Sequence, residues 1–109
     1  MAQRKELIKS SIDSLLLCVV EEQPMYGYEV IRELKRRSQG YFEFKEGTLY
    51  PALHRLEQGG LLTGKWQLTN GRQRRYYHIT AAGLTRLEEE RNKWLDFLNA
   101  MNLIIQPAQ

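Results

Sequence analysis

The sequence is most informative between residues 46 and 80, which read EGTLYPALHRLEQGGLLTGKWQLTNGRQRRYYHIT. Apolar residues recur at helical spacing in the first third of this segment, which predicts a helix that starts between Lys45 and Thr48 and ends before Gly59-Gly60. Two strand-like runs follow on either side of Asn70-Gly71, a dipeptide that favours the tight turns of hairpins. The segment therefore predicts one helix followed by a β-hairpin.

The predicted helix has two different faces. Its core face is a narrow apolar stripe made of Leu49, Ala52, Leu53 and Leu56. Its other face is small or polar and consists of Gly47, Pro51, His54 and Gln58, flanked by Tyr50 and Arg55. One face is therefore suited to packing and the other to a partner that reads polar groups.

The hairpin carries the charge imbalance of the chain. Its predicted strands, residues 61–69 and 74–79, place five side chains on the buried face, namely Leu62, Trp66, Leu68, Tyr77 and Ile79. The formal net charge is +3, and the excess comes from residues 60–80, which contain no acid and four basic side chains, Lys65, Arg72, Arg74 and Arg75. Such a basic segment indicates either contact with a polyanion or a solvated hairpin tip, and charge alone favours neither.

Two segments before residue 46 also predict helices. Residues 7–22 have a core face made of Ile8, Ile12, Leu15, Leu16 and Val19. Leu17 points to the opposite side, beside Ser10, Asp13 and Ser14, so it either contacts a second partner or is simply exposed. Cys18 lies in an apolar run and is expected to be a buried, inert thiol. After Pro24, residues 27–38 predict a second helix that ends near Gly40.

A long last helix is predicted from Ala81 to about Ile105, with Thr80 as its N-cap. Residues of a heptad seam recur along it, namely Leu84, Leu87, Arg91, Trp94, Leu98, Met101 and Ile105, and Phe97 and Ile104 widen the seam. The helix would be ~37 Å long, longer than the small body before it can cover. We therefore expect a homodimer through this seam, and packing of the helix on its own domain alone is the alternative.

Composition restricts the functional classes. The 109 residues fit one domain, and a single cysteine excludes an internal disulfide and a multi-cysteine metal site. His54 and His78 lack a third metal ligand at a suitable spacing. No nucleophile–base–acid arrangement or phosphate loop is present, so we expect neither an enzyme nor a cofactor. No apolar run approaches the roughly 18 residues of a membrane span, and the charged start lacks a cleavage pattern, so we expect no membrane contact and a cytoplasmic protein.

The order of the elements predicts a mainly α fold of the α+β type. It is a winged helix-turn-helix with three helices and a two-stranded wing, followed by the long C-terminal dimerisation helix. Residues 1–80 would form the DNA-binding part and residues 81–109 the dimerisation helix, within one compact domain. In such folds the third helix enters the major groove of double-stranded DNA and the wing contacts the backbone or the minor groove. A winged-helix protein-interaction module without direct DNA readout is the alternative, although its wing would not need an acid-free basic segment.

Three linked motifs make the sequence similar to the PadR family of transcriptional regulators. They are Tyr26-Gly27-Tyr28-Glu29, then residues 46–53 with Arg55-Leu56-Glu57 and Gly60-Leu61-Leu62, then residues 71–77 with Ile79-Thr80 and Gly83. The resemblance extends over about residues 10–84, and the single long helix after the wing resembles the small subfamily. It implies a homodimeric repressor that binds a palindromic operator and is released by a small ligand.

The candidate DNA-binding residues come from the third helix and the wing. They are Lys45, Thr48, Tyr50, Pro51, His54, Arg55, Arg72, Arg74 and Arg75. Three of them have a structural alternative, because Tyr50 can pack at the helix start, Thr48 can serve only as a cap, and Arg75 can pair with an acid of the first helices. Trp66 is expected in the core of the wing.

Trp94 is the candidate ligand-binding residue on the dimer seam. Small PadR-like regulators can hold a flat molecule between paired tryptophans, and a similar site here would stack a planar aromatic molecule on Trp94 and its symmetry mate. Ser14, Leu17, Phe97 and Leu98 would line its walls. Glu89, Glu90 and Asp96 lie nearby in the sequence and would favour a cation. A purely structural tryptophan at the dimer interface is the alternative.

Overall fold

The structure is a computed structural model that describes the backbone of residues 2–107 and the side chains of residues 11–107. Four helices and three strands follow in the order α1 (Ala2–Glu22), β1 (Met25–Tyr26), α2 (Gly27–Arg37), α3 (Glu46–Gln58), β2 (Leu62–Thr69), β3 (Arg72–Ile79) and α4 (Ala81–Ile105). This confirms the mainly helical winged-helix fold with a long last helix. Ile8, a predicted core residue, and Ser10, which was expected beside Leu17, lie outside the described side chains.

The small sheet has three strands rather than the two that the sequence predicted. β1 pairs antiparallel with β3, Met25 opposite Tyr77 and Tyr26 opposite Tyr76, and the strand order is β1-β3-β2. A strand of two residues is too short to show the alternation that identifies strands in a sequence. The pairing attaches the base of the wing to the residues that immediately precede α2.

The hairpin turns where the sequence predicted. Asn70 and Gly71 both have positive φ, 51° and 77°, as a two-residue turn of the hairpin type requires. Pairing continues without interruption from Leu62 opposite Ile79 to Thr69 opposite Arg72, so β3 begins two residues before the predicted Arg74. The wing is therefore a regular ribbon that carries three of its basic residues along β3 and the fourth, Lys65, on β2.

The core confirms the predicted stripe of α3, because Leu49, Ala52, Leu53 and Leu56 are all buried. The prediction for Leu17 is wrong, since this side chain is 0% exposed and lies in the core with Leu16 and Val20. The reason is that α1 contacts α2, α3, β3 and α4. A helix at the centre of the domain is buried over more of its circumference than one apolar stripe suggests.

Three of the five predicted core residues of the wing are correct and two are wrong. Leu62 and Tyr77 are buried and Ile79 packs against the core, but Trp66 and Leu68 are 64% and 69% exposed. These two residues alternate correctly with Leu62 along β2. The ribbon extends past the body of the domain, so nothing within the described chain covers its outer half.

The last helix begins as predicted, because the Thr80 hydroxyl accepts a hydrogen bond from the Gly83 backbone N–H at 3.0 Å. Its first half packs along α1, and this buries Leu87 to 1% exposure. The prediction that Leu87 contacts a partner chain is therefore wrong, since its own domain already covers it. No helix within residues 2–107 is long and apolar enough to cross a membrane.

Candidate nucleic-acid interface and ligand pocket

The outward face of α3 carries the predicted DNA-binding side chains of that helix. Opposite the buried stripe, five of them are exposed: Thr48, Tyr50, Pro51, His54 and Arg55. Lys45 is also exposed and occupies the N-cap position, without a hydrogen bond from its side chain. Thr48 is therefore not the N-cap residue of α3. This face is mostly polar and uncovered within the described chain, as a helix that reads a DNA groove requires.

Tyr50 combines exposure with a packing contact. Its ring lies directly over Gly27, the first residue of α2, where any larger side chain would collide with it. Partial burial raises the pKa of its hydroxyl, and the nearby Glu46 carboxylate adds to this effect. Tyr50 therefore joins α3 to α2 while 41% of its surface stays exposed.

Arg55 is held beside α1 by an exposed ion pair. Its Nη2 lies 2.5 Å from Asp13 Oδ1, and the two side chains are 59% and 45% exposed. An exposed pair of this kind contributes roughly 0–1 kcal/mol. Arg55 can therefore leave Asp13 and contact a phosphate or a base edge at a small cost in free energy.

The four basic residues of the wing differ in their surroundings. Lys65 and Arg72 are exposed and have no acidic partner among the described side chains. Arg74 lies over the ring of Tyr26, with Cζ 4.3 Å from its centroid. Arg75 pairs with Glu57 of α3 and lies 5.6 Å from the ring centroid of Trp66. The sequence pointed to an acid of the first helices for Arg75, and the partner is instead on the candidate recognition helix.

A separate cavity of about 470 Å³ opens between α1, α4 and the loop that follows α2. Its walls are mostly apolar and are formed by Ser11, Ser14, Leu15, Cys18, Tyr41, Phe42, Leu87, Arg91, Trp94, Leu95 and Leu98. Ser14, Trp94 and Leu98 were candidate ligand residues, and the structure brings all three to this cavity. Tyr41 and Phe42 were missed, although an aromatic pair in a short loop between helices was a usable signal.

A chain of hydrogen bonds fixes the indole of Trp94. Its Nε1–H donates to Ser14 Oγ at 3.1 Å, and the Ser14 hydroxyl donates to Glu90 Oε2 at 3.3 Å. Phe97 meets the indole edge to face, with ring centroids 6.0 Å apart. The structure thus holds the ring of Trp94 in one orientation at the wall of the cavity.

Leu17 and Phe97, the other two candidate ligand residues, do not line this cavity. Leu17 is in the core, and Phe97 is half exposed on the outer side of Trp94. Cys18 lines the cavity and is only partly buried. Burial raises the pKa of its thiol, and the guanidinium of Arg91 opposes this effect in part. Arg91 itself is paired with Glu21 at 2.8 Å.

The second half of α4 presents apolar side chains to solvent. Leu98, Met101 and Ile105 of the predicted seam are between 38% and 63% exposed, and Leu84, in the first turn of the helix, is 46% exposed. Leu103 and Ile104 are 87% and 84% exposed. The predicted seam is therefore divided. Leu87 is buried within its own domain, and most of the other seam residues are exposed.

Comparison with known proteins places the chain in a family. A profile described as the transcriptional regulator PadR-like family matches residues 16–89. The chain belongs to this PadR-like family. Its members are transcriptional regulators and not enzymes, as the sequence indicated.

Individual relatives of this PadR-like protein agree with that assignment. It is 34% identical to the transcriptional regulator Rv3488 of Mycobacterium tuberculosis over 80% of this chain and 78% of the relative. The crystal structure of a PadR-like transcriptional regulator from Bacillus cereus matches it with a TM-score of 0.83 and 29% identity, covering 94% of this chain and 99% of the other. A transcriptional regulator from Clostridium thermocellum matches with a TM-score of 0.83 and 26% identity, covering 93% and 99%.

Proposed function

We propose that this PadR-like regulator is a homodimeric repressor that binds a palindromic operator and releases it when a planar aromatic cation binds. The proposal depends on one observation: α3 buries its apolar stripe completely and leaves its opposite, mostly polar face exposed. The wing lies beside that face and carries Lys65 and Arg72 without acidic partners in the described chain.

The arrangement supports two kinds of DNA contact. His54 and Arg55 sit in the middle of the exposed face of α3, where side chains reach base edges when the helix enters a major groove. Lys65, Arg72 and Arg74 lie along the wing, where cations neutralise phosphates. The first group would determine sequence preference and the second would supply salt-dependent affinity.

The uncovered part of α4 supports dimerisation. A Leu side chain that becomes buried gains roughly 1.5–3 kcal/mol, and Leu98, Leu103 and Ile104 are all available for such a contact. A symmetric pair of α4 helices would present two copies of α3 on one side of the dimer. Two-fold symmetry of the protein implies a palindromic operator, with half-sites about one helical turn, ~34 Å, apart.

The ordered indole of Trp94 supports the small-molecule response. Its hydrogen bond to Ser14 fixes the ring, and Glu90 is the final acceptor of that chain of hydrogen bonds. A fixed aromatic face binds a flat aromatic molecule at low entropic cost, and a nearby carboxylate favours a cation. Binding would reduce DNA affinity only if the ligand prefers a dimer geometry other than the DNA-bound one.

Salt titration of DNA binding tests the main proposal. Duplex fragments are selected from genomic DNA with the purified wild-type chain, and affinity is then measured by fluorescence anisotropy over a range of salt concentrations. We expect log affinity to fall linearly with log salt and a preference for sequences with dyad symmetry. Affinity that is independent of sequence would contradict the role of α3. Absence of binding at low salt would contradict DNA binding altogether.

The exposed Trp66 and Leu68 favour a second candidate, an interaction module whose wing contacts a protein. Replacement of both residues by Ser separates the two functions. We expect duplex binding to survive this change if α3 and the cations carry it. The interaction module would be favoured by a different result. In that case the double variant loses binding to a protein partner, and its DNA binding stays unchanged and shows no sequence preference.

A further inference from the structure

Glu57 connects the recognition helix to the wing. It lies in the last turn of α3, and its Oε2 accepts a hydrogen bond from the Gly64 backbone N–H of β2 at 3.2 Å. The same oxygen also accepts a hydrogen bond from the guanidinium of Arg75, a residue of β3. The side chains of Glu57 and Arg75 are only 22% and 32% exposed. One carboxylate therefore contacts both strands of the ribbon.

The ribbon is shaped to hold Arg75 in this position. Arg75 pairs with Trp66 across the two strands, and its guanidinium lies near the Trp66 ring. Its side chain then runs over Gly64, where a Cβ would collide with the guanidinium. The absence of a side chain at Gly64 is thus what allows Arg75 to reach Glu57. Trp66, Gly64 and Glu57 together determine the direction of one arginine.

This position separates Arg75 from the other cations of the wing. Lys65 and Arg72 are exposed and can turn towards a phosphate without breaking an ion pair in the described structure. If Arg75 turned in the same way, it would leave the partly buried Glu57 without its cation, which is costly for a partly desolvated carboxylate. The uncompensated carboxylate would then also repel a neighbouring phosphate.

We propose that Glu57 and Arg75 form a clasp that sets the position of the wing relative to α3, and that Arg75 is a positioning residue rather than a phosphate contact. The inference rests on the proposed DNA binding, since it assigns a role within that interface. It predicts that the guanidinium of Arg75 determines the placement of the wing on the operator, and that this contact does not change the number of neutralised phosphates.

The test compares Glu57→Gln and Arg75→Gln with the control Arg72→Gln on the selected operator. We expect each clasp variant to lose about tenfold in affinity, the effect of one hydrogen bond to a charged group, and the salt slope to stay as in the wild type. The double variant should lose no more than either single variant. Arg72→Gln should instead flatten the slope by about one unit for each lost phosphate contact. Hydroxyl-radical footprints of the clasp variants should show the protection due to the wing displaced or broadened along the DNA backbone, and the protection due to α3 unchanged.

Arg75→Lys keeps the charge and gives a second test. A clasp that depends on the guanidinium predicts a loss similar to that of Arg75→Gln, whereas a phosphate contact predicts nearly wild-type affinity. Circular dichroism establishes that each variant is folded, and a variant that unfolds is replaced in the comparison by Arg75→Lys. A flattened slope in Arg75→Gln, or unchanged affinity in Glu57→Gln, would overturn the clasp. If the wild-type chain binds no DNA, the proposed function fails first, so the two failures are distinguishable.

Discussion

At the level of single residues, sequence periodicity predicted burial correctly for some side chains and wrongly for others. Periodicity identified all four core positions of α3, because that helix packs on one side only. The same reasoning failed for Leu17, since contacts from four other elements surround α1, and their positions cannot be read from the spacing within α1. The prediction that Trp66 is buried was wrong for a different reason. Strand alternation shows on which face of the ribbon a side chain lies, but not whether another element covers that face.

Leu17 and Leu87 provide a prediction for stability. Leu17→Ala and Leu87→Ala should each lower the free energy of unfolding by about 2–5 kcal/mol, because both side chains are fully buried and leave a cavity. Urea denaturation followed by circular dichroism measures the change. Leu68→Ala is the matched control, since this leucine is 69% exposed on the wing, and should shift the unfolding free energy far less. Equal effects at Leu17 and Leu68 would contradict the assigned core.

Cys18 provides a prediction that depends on pH. Because burial raises the pKa of its thiol, the thiolate fraction near neutral pH is smaller than that of an unperturbed cysteine. Alkylation by iodoacetamide at pH 7.5 should therefore be slower in the folded chain than in the chain unfolded by urea, and the folded rate should rise as pH increases towards the raised pKa. Mass spectrometry of the intact chain measures both rates. Faster modification of the folded chain would contradict the direction of the shift.

Among the elements, α4 gave the most complete prediction from sequence. Its start at Thr80 and its end near Ile105 are confirmed. The division of its seam was not predictable, because a heptad pattern identifies an apolar face and does not say whether that face is covered by the same chain or by another. The packing of α1 along its first half decides the question for Leu87.

The exposed half of α4 provides a prediction for assembly. Leu98→Lys should shift the chain from dimer to monomer, because a charged side chain cannot be buried at the seam without a large desolvation cost. Leu98 is half exposed within one chain, so the domain itself should stay folded. Sedimentation equilibrium at micromolar concentration measures the mass. Asn92→Lys is the control and should remain dimeric, because Asn92 is exposed and lies on the side of α4 away from Leu98 and Ile104. A monomeric wild type would refute the dimer.

For the molecule as a whole, the sequence supplied the order of elements and the family, and the structure supplied how they meet. The chain extends 57 Å along its longest axis against 28 and 23 Å along the others. The cavity beside Trp94 and the clasp between Glu57 and Arg75 join residues far apart in the chain. Contacts of this kind leave no local periodic signal, which is why sequence reasoning missed Tyr41 and Phe42 at the cavity and Glu57 as the partner of Arg75.

The response to a ligand is a prediction for the whole molecule. Planar cationic dyes should quench the fluorescence of the wild type and of Trp66→Phe, and should fail to quench Trp94→Phe, because the stacking surface is the Trp94 indole. Addition of the same dye should lower the affinity of the wild type for its operator. Quenching that survives in Trp94→Phe would place the dye elsewhere, and quenching without a change in DNA affinity would contradict a role as effector.

Footprinting of the wild-type chain on its selected operator examines the dimer, α3 and the wing together. We expect two protected segments related by a dyad, centred about one helical turn, ~34 Å, apart, each with major-groove protection from α3 and adjacent backbone protection from the wing. A single protected segment without dyad symmetry, or protection that does not depend on sequence, would contradict the proposal that this chain reads a palindromic operator as a dimer.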